Sequence, residues 1–164
     1  MTLPEQERER FCQVLHHSRT SLYRLAFSIT RNSSDAQEAV AEAVCRAYER
    51  YPQLREKEKL PRWLLKITAN EARRLCQRRG RTVSWDDLPT EPAIPGRETG
   101  DDTLWQAVQT LPRDQREAVV LFYYEDLPTE EIARIVGTSP GAVRVRLSRA
   151  REKLRSILKE GDYG

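Results

Sequence analysis

Between Val143 and Lys159 the chain sets seven basic residues in seventeen positions, VRVRLSRAREKLRSILK, interleaved with aliphatic ones. Guanidinium groups at that density suit the recognition of a polyanion, since the planar fork matches a phosphate or the O6/N7 edge of guanine. On a helical wheel at about 100° per residue, Leu147, Ala150, Leu154, Ile157 and Leu158 fall within roughly 60° of Val143. Arg144, Ser148 and Arg155 lie to one side of the opposite face, Val145 and Arg149 to the other. Val145 therefore points away from the core. An outward valine beside outward arginines fits a major groove, where the thymine methyl and guanine edge are common targets.

The preceding segment supplies a support for such a helix. Ala133, Gly137 and Val143 are spaced by four and then six residues. A helix-turn-helix needs a small residue where its helices cross, a glycine for the left-handed turn, and an apolar residue inserted beneath the first helix. PTEEIARIV is then the supporting helix, with Glu130 and Glu131 placed favourably at its start. An ordinary helical hairpin with a solvated basic face would leave both the spacing and the arginine run unexplained.

A second basic segment, LPRWLLKITANEARRLCQRRGR, crowds Arg73, Arg74, Arg78, Arg79 and Arg81 at the end of one helical pattern, with Lys66 before them. Trp63 stands near its start and Asn70 in its middle. Arginines for phosphates, a ring for stacking and an amide for a base edge are the equipment for holding separated strands. Trp63 is equally suited to a core, because partial burial is the norm for tryptophan.

These residues need helices to position them, and the apolar periodicity supplies helices throughout. Phe11, Val14, Leu15, Leu22, Leu25, Ala26 and Ile29 predict a helix from about Glu5 to Thr30, with Ser18 the place where it could break. Ser34 is the expected cap of the next helix, which runs to Tyr48 with Ala36, Val40, Ala43, Val44 and Ala47 on one face. YPQLREKEKLP interrupts, and Pro61 suits the first turn of a third helix ending near Arg79. Residues 81–101 hold three prolines, two glycines and little periodicity, a linker. Helices then resume through DDTLWQAVQTL, PRDQREAVVLFYYED and PTEEIARIV to the basic one. The expected architecture is all-α: two small helical domains, 1–82 and 102–164, joined by a flexible acidic linker, 83–101.

Charge follows the same division. Residues 1–82 carry 17 basic and 10 acidic side chains, residues 83–112 one and six, and residues 113–164 ten and nine. Two basic lobes on an acidic strap are the footprint of a polyanion binder. In the free protein the strap could lie across a DNA surface. No apolar run approaches a bilayer span, and the start MTLPEQERER has no signal-peptide core. Cys12, Cys45 and Cys76 are odd in number, widely separated and set in apolar patterns, so buried thiols are expected rather than bridges or metal ligands. His16 and His17 lack companions at ligand spacing. No metal, cofactor or catalytic group is expected, and the chain reads as a binding protein rather than an enzyme.

Three segments together resemble an extracytoplasmic-function, or group IV, sigma factor of the sigma-70 family, the promoter-specificity subunit of bacterial RNA polymerase. SDAQEAVAEAVCRAYERY resembles the helix that grips the polymerase clamp, WLLKITANEARRLCQRR the helix that melts and reads the minus-10 element, and LPTEEIARIVGTSPGAVRVRLSRAREKLR the minus-35-reading helix-turn-helix. The resemblance implies sigma-2-like and sigma-4-like domains. It assigns Arg144, Ser148 and Arg149 to minus-35 bases, beside the outward Val145 read above as a DNA contact, with Arg146 and Arg151 nearer the phosphates. It assigns Asn70 to minus-10 bases and Leu54 and Arg55 to the loop that pockets a flipped base, and Trp63, Lys66, Arg73, Arg74 and Arg78 of the basic segment join them as the expected surface for minus-10 recognition and melting. Asp35, Glu38, Glu42 and Arg46 lie on the clamp-binding helix. The chain departs from the family pattern at Ala41, usually glutamine, at Leu54, often phenylalanine, and at Arg74, often aspartate. The implied partners of this monomer are core RNA polymerase, through its clamp and flap, promoter DNA, and an inhibitory anti-sigma factor, in this family often membrane-bound. The implied location is the bacterial cytoplasm. A stand-alone helix-turn-helix repressor or activator is the rival reading, and it requires palindrome binding without polymerase.

Overall fold

The apolar spacing from Phe11 onward produces one unbroken helix, α1 (Glu5–Thr30), which passes straight through Ser18. The computed structural model describes residues 3–79 and 102–163, in two compact units that meet in sequence at Ile94 and Pro95. The linker expected at 83–101 and its acidic strap lie outside the described residues.

In the first unit, α1 stops where Arg31 turns left-handed, at φ 55°, and its N–H closes on the Phe27 carbonyl at 2.8 Å. The next helix, α2 (Ser33–Arg50), is capped by Asn32 and not by Ser34, because the Asn32 side chain accepts from the Asp35 N–H at 2.9 Å. Asn32 has the extended backbone that a cap needs, whereas Ser34 is already inside the helix. Pro61 sits in the first turn of α3 (Leu60–Arg78), where its missing N–H costs nothing. Each of these helices packs on the other two. Leu22, Leu25 and Ile29 of α1, Leu64, Thr68, Ala72 and Leu75 of α3, and Ala36, Ala39, Ala43 and Ala47 of α2 are all buried in the core of this bundle. Small side chains along α2 allow its axis to approach closely.

The turn between α2 and α3 is tightly held. Tyr51 is fully buried, with its ring edge-on to Phe11 at 5.4 Å, and Phe11 meets Tyr48 at 5.3 Å. Lys57 Nζ donates to the Tyr51 carbonyl at 2.6 Å and lies 4.2 Å from the centre of the Tyr51 ring. Burial pushes the Tyr51 phenol above its ordinary pKa, and the neighbouring Glu7 carboxylate adds to the shift.

The second unit holds α4 (Asp102–Gln109), α5 (Arg113–Val119), α6 (Thr129–Val136) and α7 (Pro140–Tyr163). Its core gathers Trp105, Val108, Leu111, Val119, Leu121, Ile132 and Leu147. The helix expected through PRDQREAVVLFYYED is α-helical only to Val119 and then widens into a π turn over Val120–Tyr124. The Glu125 N–H reaches back to the Val120 carbonyl at 3.1 Å, and Asp126 turns left-handed at φ 57°. Buried Arg116 donates to the Leu111 carbonyl at 2.7 Å, which ties α5 to the end of α4.

The cysteines correct the sequence reading. Cys12 and Cys45 are exposed and Cys76 half-buried, all three unbridged. Cys12 follows buried Phe11, but one residue along a helix is about 100° of rotation, enough to carry it out to solvent. His16 and His17 are exposed on α1.

Candidate nucleic-acid interface

The helix-turn-helix forms as its residue types require. Gly137 ends α6 at φ 77°, and its N–H and that of Thr138 both close on the Ala133 carbonyl, at 2.9 and 3.0 Å. Ser139 Oγ then accepts from the Ala142 N–H at 3.1 Å and starts α7. Ala133 and Val143 are both buried, so the small residue and the insert occupy the crossing. With Val143, Leu147, Ala150 and Leu154 turned inward, Arg144, Ser148 and Arg149 are exposed, and Val145 keeps 47 % of its surface in solvent.

Two basic residues of this helix are engaged within the unit. Arg146 is partly covered and lies 3.7 Å from the Asp114 carboxylate at the start of α5. Arg151 Nε donates to the Tyr123 hydroxyl at 2.6 Å, and its guanidinium lies over the Phe122 and Tyr123 rings at 5.7 and 5.8 Å. Tyr123 is half-exposed, and it lines an apolar groove of about 330 Å³ together with Leu104, Val108, Val119 and Leu154.

On α3, Trp63, Lys66, Asn70 and Arg73 recur at three- and four-residue steps along one side, Lys66 and Asn70 exposed and Trp63 and Arg73 half-buried. Asn70 Oδ1 accepts from Arg73 Nη1 at 3.4 Å. Arg55 is exposed and Leu54 half-buried on the pinned turn. The structure separates Arg74 and Arg78 from this stripe. Both turn toward α2, where the residues expected to meet polymerase stand.

There the two helices share a seam of ion pairs. Arg79 spans Asp35 and Glu38 at 3.1 Å each, with Arg78 3.8 Å from Glu38. Further along, Arg46 lies 3.5 Å from Glu42 and 2.8 Å from Glu71, and Arg74 is 3.3 Å from the same Glu71 oxygen. Glu71 is a buried carboxylate that the basic run around it concealed. Tyr123 and Arg116 were equally hidden, since an aromatic run and a lone arginine read as core and surface. Within the described residues no group of His, Cys, Asp and Glu is arranged to hold a metal ion.

A helix-turn-helix with a bare reading face, accompanied by a separate bundle with its own basic helix, defines a bipartite DNA-binding protein. Residues 14–82 match the family described as Sigma-70 region 2, and residues 101–154 match Sigma-70, region 4. The chain is 32% identical over 142 residues to the RNA polymerase sigma factor SigV of Bacillus subtilis, covering 85% of this chain and 86% of that one. It is 32% identical over 143 residues to the ECF RNA polymerase sigma factor EcfG of Rhodopseudomonas palustris, covering 84% and 79%. Among solved structures it resembles the sigma factor RpoE of Bartonella quintana, in complex with the anti-sigma factor NepR, with a TM-score of 0.75 and 28% identity over 91% of this chain and 96% of that one. The chain belongs to the extracytoplasmic-function sigma factors of the sigma-70 family. It is a transcription initiation factor, one that directs core RNA polymerase to promoters.

Proposed function

We propose that the two units divide promoter recognition between them. The outward comb of Arg144, Val145, Ser148 and Arg149 on α7 reads minus-35 bases, while Arg146 and Arg151 hold phosphates. The stripe of Trp63, Lys66, Asn70 and Arg73, with Leu54 and Arg55 on the pinned turn, captures the minus-10 strand as it opens, and Arg74 and Arg78 flank it. Asp35, Glu38, Glu42 and Arg46 face the polymerase clamp, and the groove beside Tyr123 receives the flap. The protein acts by binding and has no catalytic centre of its own. Unstacking a base costs a few kcal/mol, and aromatic stacking of the captured base returns about 1–3 kcal/mol. Opening is therefore driven by capture.

The packing of α7 carries this reading: Val143, Leu147, Ala150 and Leu154 are turned inward, which leaves Arg144, Val145, Ser148 and Arg149 outward together. Control by an anti-sigma factor is supported by the complex in which the Bartonella relative was solved. We assign the monomeric protein to the bacterial cytoplasm, where its polymerase works. No helix among the described residues is long and apolar enough to cross a membrane. Run-off transcription with purified core polymerase and a promoter library is the test. Transcripts that depend on both added protein and paired promoter elements are expected. Tight binding to a palindrome with no effect on polymerase would refute the proposal in favour of a stand-alone repressor.

A further inference from the structure

The ion pairs between α2 and α3 contain an ordered chain: Glu42, Arg46, Glu71, Arg74, acid and base alternating. Arg46 Nε stands 3.5 Å from Glu42 and 2.8 Å from Glu71, and Arg74 Nη1 reaches Glu71 at 3.3 Å. Both guanidiniums address one oxygen, Glu71 Oε2. The chain is graded in exposure. Glu71 has 6% of its side chain in solvent and Arg46 33%, while the ends, Glu42 and Arg74, have 55% and 52%. A carboxylate as buried as Glu71 must keep a cationic partner, since a charge left alone there is costly. The ends are free to change theirs.

We propose that Glu71 is a positioning residue that couples polymerase binding to capture of the minus-10 strand. This rests on the reading above, in which Glu42 faces polymerase and Arg74 flanks the stripe that captures the minus-10 strand. When a basic group of polymerase takes Glu42, the remaining chain is cation, anion, cation. Arg46 then draws wholly on Glu71, and Arg74, now in excess and repelled by Arg46, is released toward a phosphate. When a phosphate takes Arg74 first, Glu71 satisfies Arg46 alone and Glu42 is released toward polymerase. With both ends engaged outside, the inner pair remains matched one to one. Each partner thus favours the other, by the same factor in either order.

The ends are exposed pairs, so the effect is modest, about two- to fivefold. The test uses full-length protein, core polymerase and a single-stranded minus-10 oligonucleotide. The ratio of polymerase affinities with and without saturating oligonucleotide is the coupling factor. It is measured for the unmodified protein, Glu42→Gln, Arg74→Gln, the double variant and Glu71→Gln. Each single variant is expected to lower the factor about two- to fivefold, and the double variant to lower it no further than one alone. A purely structural role for Glu71 would change stability and both affinities but leave their ratio alone. Should Glu71→Gln fail to fold, the cycle at the two exposed ends decides. If Glu42→Gln weakens polymerase binding and Arg74→Gln weakens oligonucleotide binding but the factor is unchanged, the coupling is refuted and the assignment of faces stands. If either single effect is missing, the assignment fails and the coupling with it.

Discussion

Gly137 offers a perturbation whose cost can be worked out from the backbone alone. It sits at φ 77°, and a Cβ built there meets no heavy atom within 4 Å. Alanine would therefore clash with nothing beyond its own backbone, and its penalty is that of an L-residue held left-handed, about 1–2 kcal/mol. The N–H groups of residues 137 and 138 would still close on Ala133, so no hydrogen bond is lost. Asparagine, which tolerates this region better, should cost less than alanine. In a domain of this size each kcal/mol moves the midpoint by about 4–8 °C, so Gly137→Ala should melt the second unit roughly 4–16 °C earlier. Calorimetry of the full-length protein gives the shift, and amide exchange over α6 and α7 assigns it to that unit. Well below the transition, minus-35 affinity should fall less than about threefold, since the reading residues keep their places. An alanine variant that melts with the unmodified protein would refute the reasoning. So would a loss above about 4 kcal/mol, which needs a collision or buried defect that the structure lacks, or an asparagine variant no better than alanine.

Further expectations concern the reading surfaces and the core. Arg149→Ala should relax specificity at one minus-35 base by about 1–3 kcal/mol in a binding competition, whereas Arg151→Ala should weaken all sequences alike and reduce the salt slope by about one. Asn70→Ala should impair opening while the closed complex survives, seen as reduced permanganate reactivity at the minus-10 region. Tyr51 gives a pH dependence. Its phenol is raised in the folded state by burial and Glu7, so stability is intact below the unfolded pKa of about 10 and falls as pH rises above it. Tyr51→Phe should flatten that alkaline loss, and an identical slope in both proteins would exclude Tyr51 as its source.

The helices, the helix-turn-helix and the outward arginines were legible because periodicity and backbone freedom are local properties. Val143 in and Val145 out follow from rotation along one helix, and the structure places both so. Asn32 replaced Ser34 as cap because several residues in NSSD suit the role and only the path of the chain leaving α1 chooses among them. The exposure of Cys12 and Cys45 was lost in the same way, as apolar neighbours lend their character to a residue one step round the helix. The seam escaped for a different reason. Glu71 lies in a run of arginines that reads as a single basic patch, and its partner Arg46 is 25 positions earlier. Only the packing of α2 against α3 shows that Arg78, an assigned DNA contact, lies near Glu38 of α2, and that Arg74, another, shares the Glu71 carboxylate of its own helix with Arg46 of α2.

The turn from Tyr51 to Lys59 has a consequence for how such a protein changes over time. Its fastenings are a ring sunk against Phe11 and two donors closing on the Tyr51 carbonyl, the Lys57 ammonium and the backbone N–H of Leu54, while Arg55 beside them is exposed. Scaffold and text are written in different letters of the same short segment. If the tip pockets a base as proposed, preference for one nucleotide over another can drift there, substitution by substitution, while the bundle beneath inherits its shape unaltered.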